Sequence, residues 1–274
     1  MKRIIIWINK KLSKLLKKNR VRNILIGINS VIFIVSFTIC LLKLYDYYSS
    51  QKLYSNLSRL YTIKPVAENY NRLTEKDNNT APIEVNVPPK ISDKFNDLLN
   101  INEDTVGWLS IEHTSINYPV VKHADNDFYL DKNFEKKKSS SGCIFMDFRN
   151  DILPLDRNII LYGHHMKDKS MFTDINLYKD KDFFFNNDKI VFNNLYKENI
   201  WQVFSVYVTN LDFDYLIPKF QSDVQFDNYI KVIKEKSKYK KDIEVSSDDH
   251  ILTLSTCSYE FKGARTVVHA KLIK

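Results

Sequence analysis

Glycine and proline are scarce in this chain, at five and seven of 274 residues, which excludes collagen-like and glycine-rich low-complexity classes. Three cysteines are too few for a disulfide framework. Strong charge of one sign is also missing from most of the chain. The formal +8 arises in residues 1–22, which hold nine lysines and arginines and no acid; beyond them 32 basic side chains face 33 acidic ones. A basic nucleic-acid-binding domain therefore has no support, and no nucleic-acid partner is expected. Apolar residues are plentiful, at 44% against 27% charged, enough for a sizeable core and incompatible with disorder throughout.

Residues 24–42 (ILIGINSVIFIVSFTICLL) contain no charge. As a helix this run reaches ~29 Å, the thickness of a hydrocarbon core. With the basic segment upstream, the positive-inside rule predicts a cytoplasmic tail over 1–23, a transmembrane signal anchor over 24–42 and everything later outside the cell membrane. A cleaved signal peptide fits less well, because the run is long and no A-x-A-like site follows it. Residues 43–90 read as stalk and linker. Leu44, Tyr48, Leu53 and Leu60 recur at helical spacing, as in a stalk helix, and Pro65, Pro82, Pro88 and Pro89 lie among polar residues in a linker composition. The folded domain is expected over 91–274, opening with a short helix capped by Ser92.

Within that domain eight short β-branched or aromatic runs, bounded by turn residues, read as strands: 106–111, 116–121, 143–146, 158–162, 189–192, 200–209, 250–256 and 266–273. Their number and spacing predict a mainly β barrel or sandwich. Helices are expected over 171–178, after Ser170, and over 224–237, where Phe226, Tyr229, Ile230 and Ile233 share a face.

Cys257 ends one predicted strand, beside a polar turn. The strand fixes its backbone while the loop leaves the thiol accessible, which suits a nucleophile; a buried structural cysteine is the competing reading. A disulfide with Cys143 is a third. Arg265 opens the next strand, eight residues on. If those strands pair, its guanidinium starts at the same sheet end, where a cation favours thiolate and donates to an oxyanion; alone, it equally reads as a surface arginine. His164 follows the predicted strand NIILYG and is a candidate general acid or base, with His165 an unresolved alternative. A metal site of His164, His165 and Cys257 lacks a fourth ligand at recognised spacing.

Leu254-Ser255-Thr256-Cys257, the Arg265 strand, Tyr162-Gly163-His164, Ile116–Val120, Ile144–Asn150 and Ser170-Met171-Phe172 together resemble the class B sortases of Gram-positive bacteria, over about residues 92–274. The resemblance implies an eight-stranded sortase-type β-barrel with peripheral helices and a cysteine transpeptidase that needs no cofactor or metal. It implies Cys257 as nucleophile, His164 as acid/base and Arg265 as carbonyl-stabilising group. Asn117, Tyr162 and Ser255 match substrate-side positions, with Tyr215 and Leu216 in the variable segment before the long helix. The implied partners are surface proteins bearing a carboxyl-terminal sorting motif, cleaved after Thr, and the amine of a lipid-linked peptidoglycan precursor. The same resemblance sets aside the Cys143–Cys257 disulfide, which would remove the nucleophile. A membrane-tethered cysteine peptidase and a non-catalytic envelope binding module are the rival readings.

Overall fold

A computed structural model of the chain describes residues 2–61, 89–210 and 212–273. The expected prolines Pro65, Pro82 and Pro88 lie outside the described residues. The chain divides into two compact units, 1–49 and 50–274. In the first, residues are helical as part of α1 (Lys2–Leu60), and the side chains of 24–42 are exposed. Among the described residues one helix, Arg22–Leu60, is long and apolar enough to cross a membrane.

The second unit takes in the last turns of α1. There Leu53 packs partly buried against the core and Leu60 is exposed, while Tyr54, Leu57 and Tyr61 are buried. Tyrosine supplies a large apolar ring with a polar tip. Tyr61 stacks on Trp108 at 4.5 Å between centroids and accepts from Asn193 Nδ2 at 2.9 Å, while Tyr54 donates to the Gly142 carbonyl at 2.8 Å. A leucine-based periodicity does not register those paired tips.

Eight strands close into a barrel: β1 (Thr105–Ile111), β2 (Asn117–Val121), β3 (Ile144–Met146), β4 (Asn158–Tyr162), β5 (Lys189–Asn194), β6 (Ile200–Thr209), β7 (Ile251–Cys257) and β8 (Arg265–Ile273). Their order around it is β1-β2-β3-β4-β7-β8-β6-β5. The β2–β3 and β4–β7 pairs are parallel and the others antiparallel. Parallel neighbours need long crossovers, and the one from β4 to β7 carries α3 (Lys181–Asn186), β5, β6 and α4 (Asp223–Lys236). β7 is buried at six consecutive positions, with the polar Thr253, Ser255 and Thr256 among them.

Helix α4 starts where Ser222 accepts from Gln225 N and buries Phe226, Tyr229, Ile230 and Ile233 as expected, in a second core with Phe204, Tyr207, Tyr215 and Val267. The Ser92 prediction holds only in position: a 3-10 turn and α2 (Asn96–Ile101) follow, but the Ser92 hydroxyl makes no cap bond. The helix expected from Met171 instead begins at Thr173, as a 3-10 helix to Lys179. Met171 has φ 54°, a left-handed conformation that cannot open a right-handed helix. Helix α3 was not anticipated, although Asp180 caps it by accepting from Phe183 N.

His269, on β8, is fully buried and held neutral. Thr253 gives its hydrogen to Asn158 and accepts from His269 Nδ1 at 2.9 Å, while the Tyr207 hydroxyl donates to Nε2 at 2.8 Å. Burial pushes its pKa down to about 3, against ~6.5 in an unfolded chain. The unfolded state therefore takes up a proton that the folded state refuses, and stability falls as pH drops from ~6.5 toward 3. Thermal midpoints should decline from pH 7 to 5.5, before the carboxylates titrate, and His269→Gln should flatten that slope. Equal slopes for both proteins would contradict this account.

Candidate active site

Strand register determines what meets at one end of the barrel. In the parallel β4–β7 pair, Tyr162 lies opposite Ser255. Two residues further along each chain stand His164 and Cys257, so both emerge at the same end. The pairing continues past the strands: Gly163 N donates to Ser255 O at 3.4 Å and Thr256 Oγ1 to Gly163 O at 2.8 Å. Across the antiparallel β7–β8 pair, Cys257 is opposite Arg265, and directly opposed residues share a sheet face. Gly163 is needed for space, not for an unusual turn. A Cβ there would lie 2.5 Å from Ile144 Cδ1 and 2.6 Å from Phe172 Cγ.

These residues line one groove of about 590 Å³. Of the positions singled out in the sequence, His164, Cys257, Arg265, Tyr162, Ser255, Tyr215 and Leu216 line it; Asn117 does not. Asn117 opens β2 and is exposed, its Oδ1 accepts from Trp108 Nε1 at 2.7 Å, and it borders a separate depression with Tyr54, Tyr118 and Lys169. Asn117 thus stands apart from the residues that line the groove. Leu130, Phe145, Asn126 and Thr256 also line the groove and were not predicted. Of these, Phe145 belongs to the Ile144–Asn150 run.

Cys257, His164 and Arg265 are each half-buried. The His164 Nε2–H donates to the Leu130 carbonyl at 2.7 Å, and Arg265 Nη1 donates to Ala264 O at 3.1 Å. His165 does not line the groove; its Nδ1–H donates to the Cys257 carbonyl at 3.0 Å. The remaining histidines lie elsewhere: His113 is exposed, His123 stacks on Phe128, His250 bonds Asp156 O and His269 is buried against Tyr207 and Tyr229 beneath α4.

The Tyr215 and Ser255 hydroxyls are 2.9 Å apart. Burial raises the Tyr215 pKa, partly offset by the Ser255 bond and by the positive charge of Arg265. Tyr162 donates to Asp147 at 2.7 Å, and burial together with that carboxylate raises its pKa strongly. All three cysteines are free. Cys143 is buried within 3.4 Å of the Tyr54 hydroxyl, and burial pushes its thiol up to about 12, the inert situation of a core cysteine. Among the described residues no cluster of three or more histidine, cysteine or acidic side chains could hold a metal.

A closed barrel presenting a cysteine, a histidine and an arginine along one groove has the architecture of an acyl-transfer enzyme. The sortase domain family profile matches residues 109–273. The Sortase B of Listeria monocytogenes is 40% identical over 190 residues, 69% of this chain and 77% of that protein. That of Staphylococcus aureus is 40% identical over 183 residues, 66% and 75% respectively. Among solved structures, sortase B from Bacillus anthracis in complex with AAEK1 superposes with a TM-score of 0.70 at 36% identity, covering 84% of this chain and 99% of that one. The Clostridium perfringens sortase B gives 0.63 at 42%, covering 65% and 98%. The chain belongs to the sortase family. Its relatives named above are of class B, and it is a sortase B-type cysteine transpeptidase of cell-wall anchoring.

Proposed function

We propose that Cys257 is the nucleophile of this transpeptidase, His164 its general acid and base, and Arg265 the donor that orients and stabilises the acyl carbonyl. One observation carries the assignment: the β4–β7 and β7–β8 registers align these three residues on one groove. Support also comes from a Staphylococcus aureus sortase B structure described as a substrate complex, 33% identical with a TM-score of 0.70.

The thiolate attacks the threonine carbonyl carbon of a carboxyl-terminal sorting signal lying against Tyr162, Ser255, Tyr215 and Leu216. The peptide C–N bond breaks, the leaving amine takes a proton from His164, and a thioester remains on Cys257. An amine of a lipid-linked peptidoglycan precursor then attacks the thioester and passes its proton to His164, releasing the thiolate. A membrane anchor over 24–42, with 1–23 in the cytoplasm and the barrel outside, would hold enzyme, sorting signal and acceptor at one surface and raise their effective concentration.

Incubating the full chain in detergent with threonine-containing donor peptides, with and without triglycine, tests this reading. The expected product is the donor fragment joined to triglycine. Hydrolysis alone, unaffected by amine, would favour a peptidase, and no turnover across a broad peptide library would favour a binding module.

A further inference from the structure

The segment before α4 forms one wall of the groove without regular secondary structure, yet three consecutive carbonyls in it are each met by a side chain from a different element. Tyr229 OH, from α4, donates to Tyr215 O at 2.8 Å; Arg149 Nη2, from the β3–β4 connection, to Leu216 O at 3.0 Å; Asn158 Nδ2, from β4, to Ile217 O at 2.8 Å. Such a wall is rigid by construction, because its backbone acceptors are satisfied by protein groups and not by exchanging water.

Arg149 is also bound to a second wall. Its Nε and Nη2 donate to the two carboxylate oxygens of Asp147 at 2.8 and 2.9 Å, a bidentate pair. Asp147 is fully buried and accepts from Arg149 N at 3.0 Å, Tyr162 OH at 2.7 Å and Asn126 Nδ2 at 3.1 Å. Burial opposes ionisation of Asp147, but these donors outweigh it and hold its carboxyl below the usual range. Tyr162, Asn126 and Leu216, which line the groove on three elements, thus meet at one ion pair.

We infer that the Asp147–Arg149 pair is a positioning device that sets the spacing between the Leu216 wall and the Tyr162 and Asn126 walls, and so governs affinity for the donor peptide but not the chemistry at Cys257. This rests on the reading of the groove as the donor-peptide site. Neither residue lines the groove, so both act through the residues they hold. The geometry requires arginine: lysine offers a point charge to Asp147 but no planar fork to span Asp147 and Leu216 O together.

The sharpest variant is Arg149→Lys. Arg149 is 42% exposed, and the substitution leaves Asp147 with a cation, so folding is retained. In the full chain in detergent, KM for the best-used donor peptide should rise about tenfold, as expected for loss of a charged hydrogen bond, with kcat within about threefold. Alkylation of Cys257 by iodoacetamide should keep its wild-type rate. Hydrogen exchange of amides 213–217, which needs no peptide, should accelerate. Asp147→Asn, which frees Arg149, should raise KM in the same direction, and the double variant should be no worse than the more damaging single one. Unchanged exchange at 213–217 would overturn the inference, as would a kcat loss at constant KM. If Cys257→Ala still turned over peptide, the reading of the groove would fail, whatever the exchange result.

Discussion

Cys257→Ala should lower transpeptidation on the order of 10³-fold or more, to the level that binding and an oxyanion donor alone sustain, while the barrel stays folded. The thiol is at the end of β7 and half-buried, so its removal leaves no large cavity. Cys143→Ala is the control: Cys143 is 1% exposed and is absent from the groove lining. It should cost stability and leave kcat/KM nearly intact. His164→Ala should be comparably damaging to Cys257→Ala, because both the leaving and the attacking amine need a proton carrier. His165→Ala should retain substantial turnover, since the His165 ring serves the Cys257 carbonyl. Measuring kcat/KM for the four variants checks this order, and a reversal of the two histidines would mean that register alone misassigns the acid/base.

Arg265→Lys should lose on the order of 10²-fold in kcat/KM, the scale of a missing oxyanion donor. Arg265 is fixed opposite Cys257 by the β7–β8 register, and its charge reaches as far as the Tyr215 hydroxyl. In this resting arrangement Nη1 is spent on Ala264 and Gly263 carbonyls at the loop's end. Those bonds orient the guanidinium and leave other N–H groups for a carbonyl in the groove. Lysine keeps the charge and loses the directed fork. Near-complete rescue by lysine would show that charge alone suffices, and full activity of Arg265→Ala would remove Arg265 from the mechanism.

The strands were legible because β-branched and aromatic runs sit between turn residues; β4 and β6 occur over 158–162 and 200–209 as the pattern predicts. Pairing was not legible. Nothing local states that β4 and β7 run parallel with Tyr162 opposite Ser255, so the meeting of His164 with Cys257 came from family resemblance. Asn117 starts β2 opposite Ser110 and is not among the groove-lining residues, its Oδ1 accepting from Trp108. Arg149 is legible only in part. Its motif was visible, but Leu216, the group that gives it a role, lies 67 residues away. Tyrosine tips paired with distant carbonyls and amides, as at Tyr54 and Tyr61, are equally silent in a hydropathy pattern.

The central claim, covalent acyl transfer through Cys257, is tested most directly by intact-protein mass spectrometry of the full chain mixed with donor peptide and no amine. The account predicts an added mass equal to the peptide fragment ending in threonine, located on Cys257 by peptide mapping, absent from Cys257→Ala and discharged when triglycine is added. Ligated product without any such adduct, or an adduct that persists in Cys257→Ala, would contradict it.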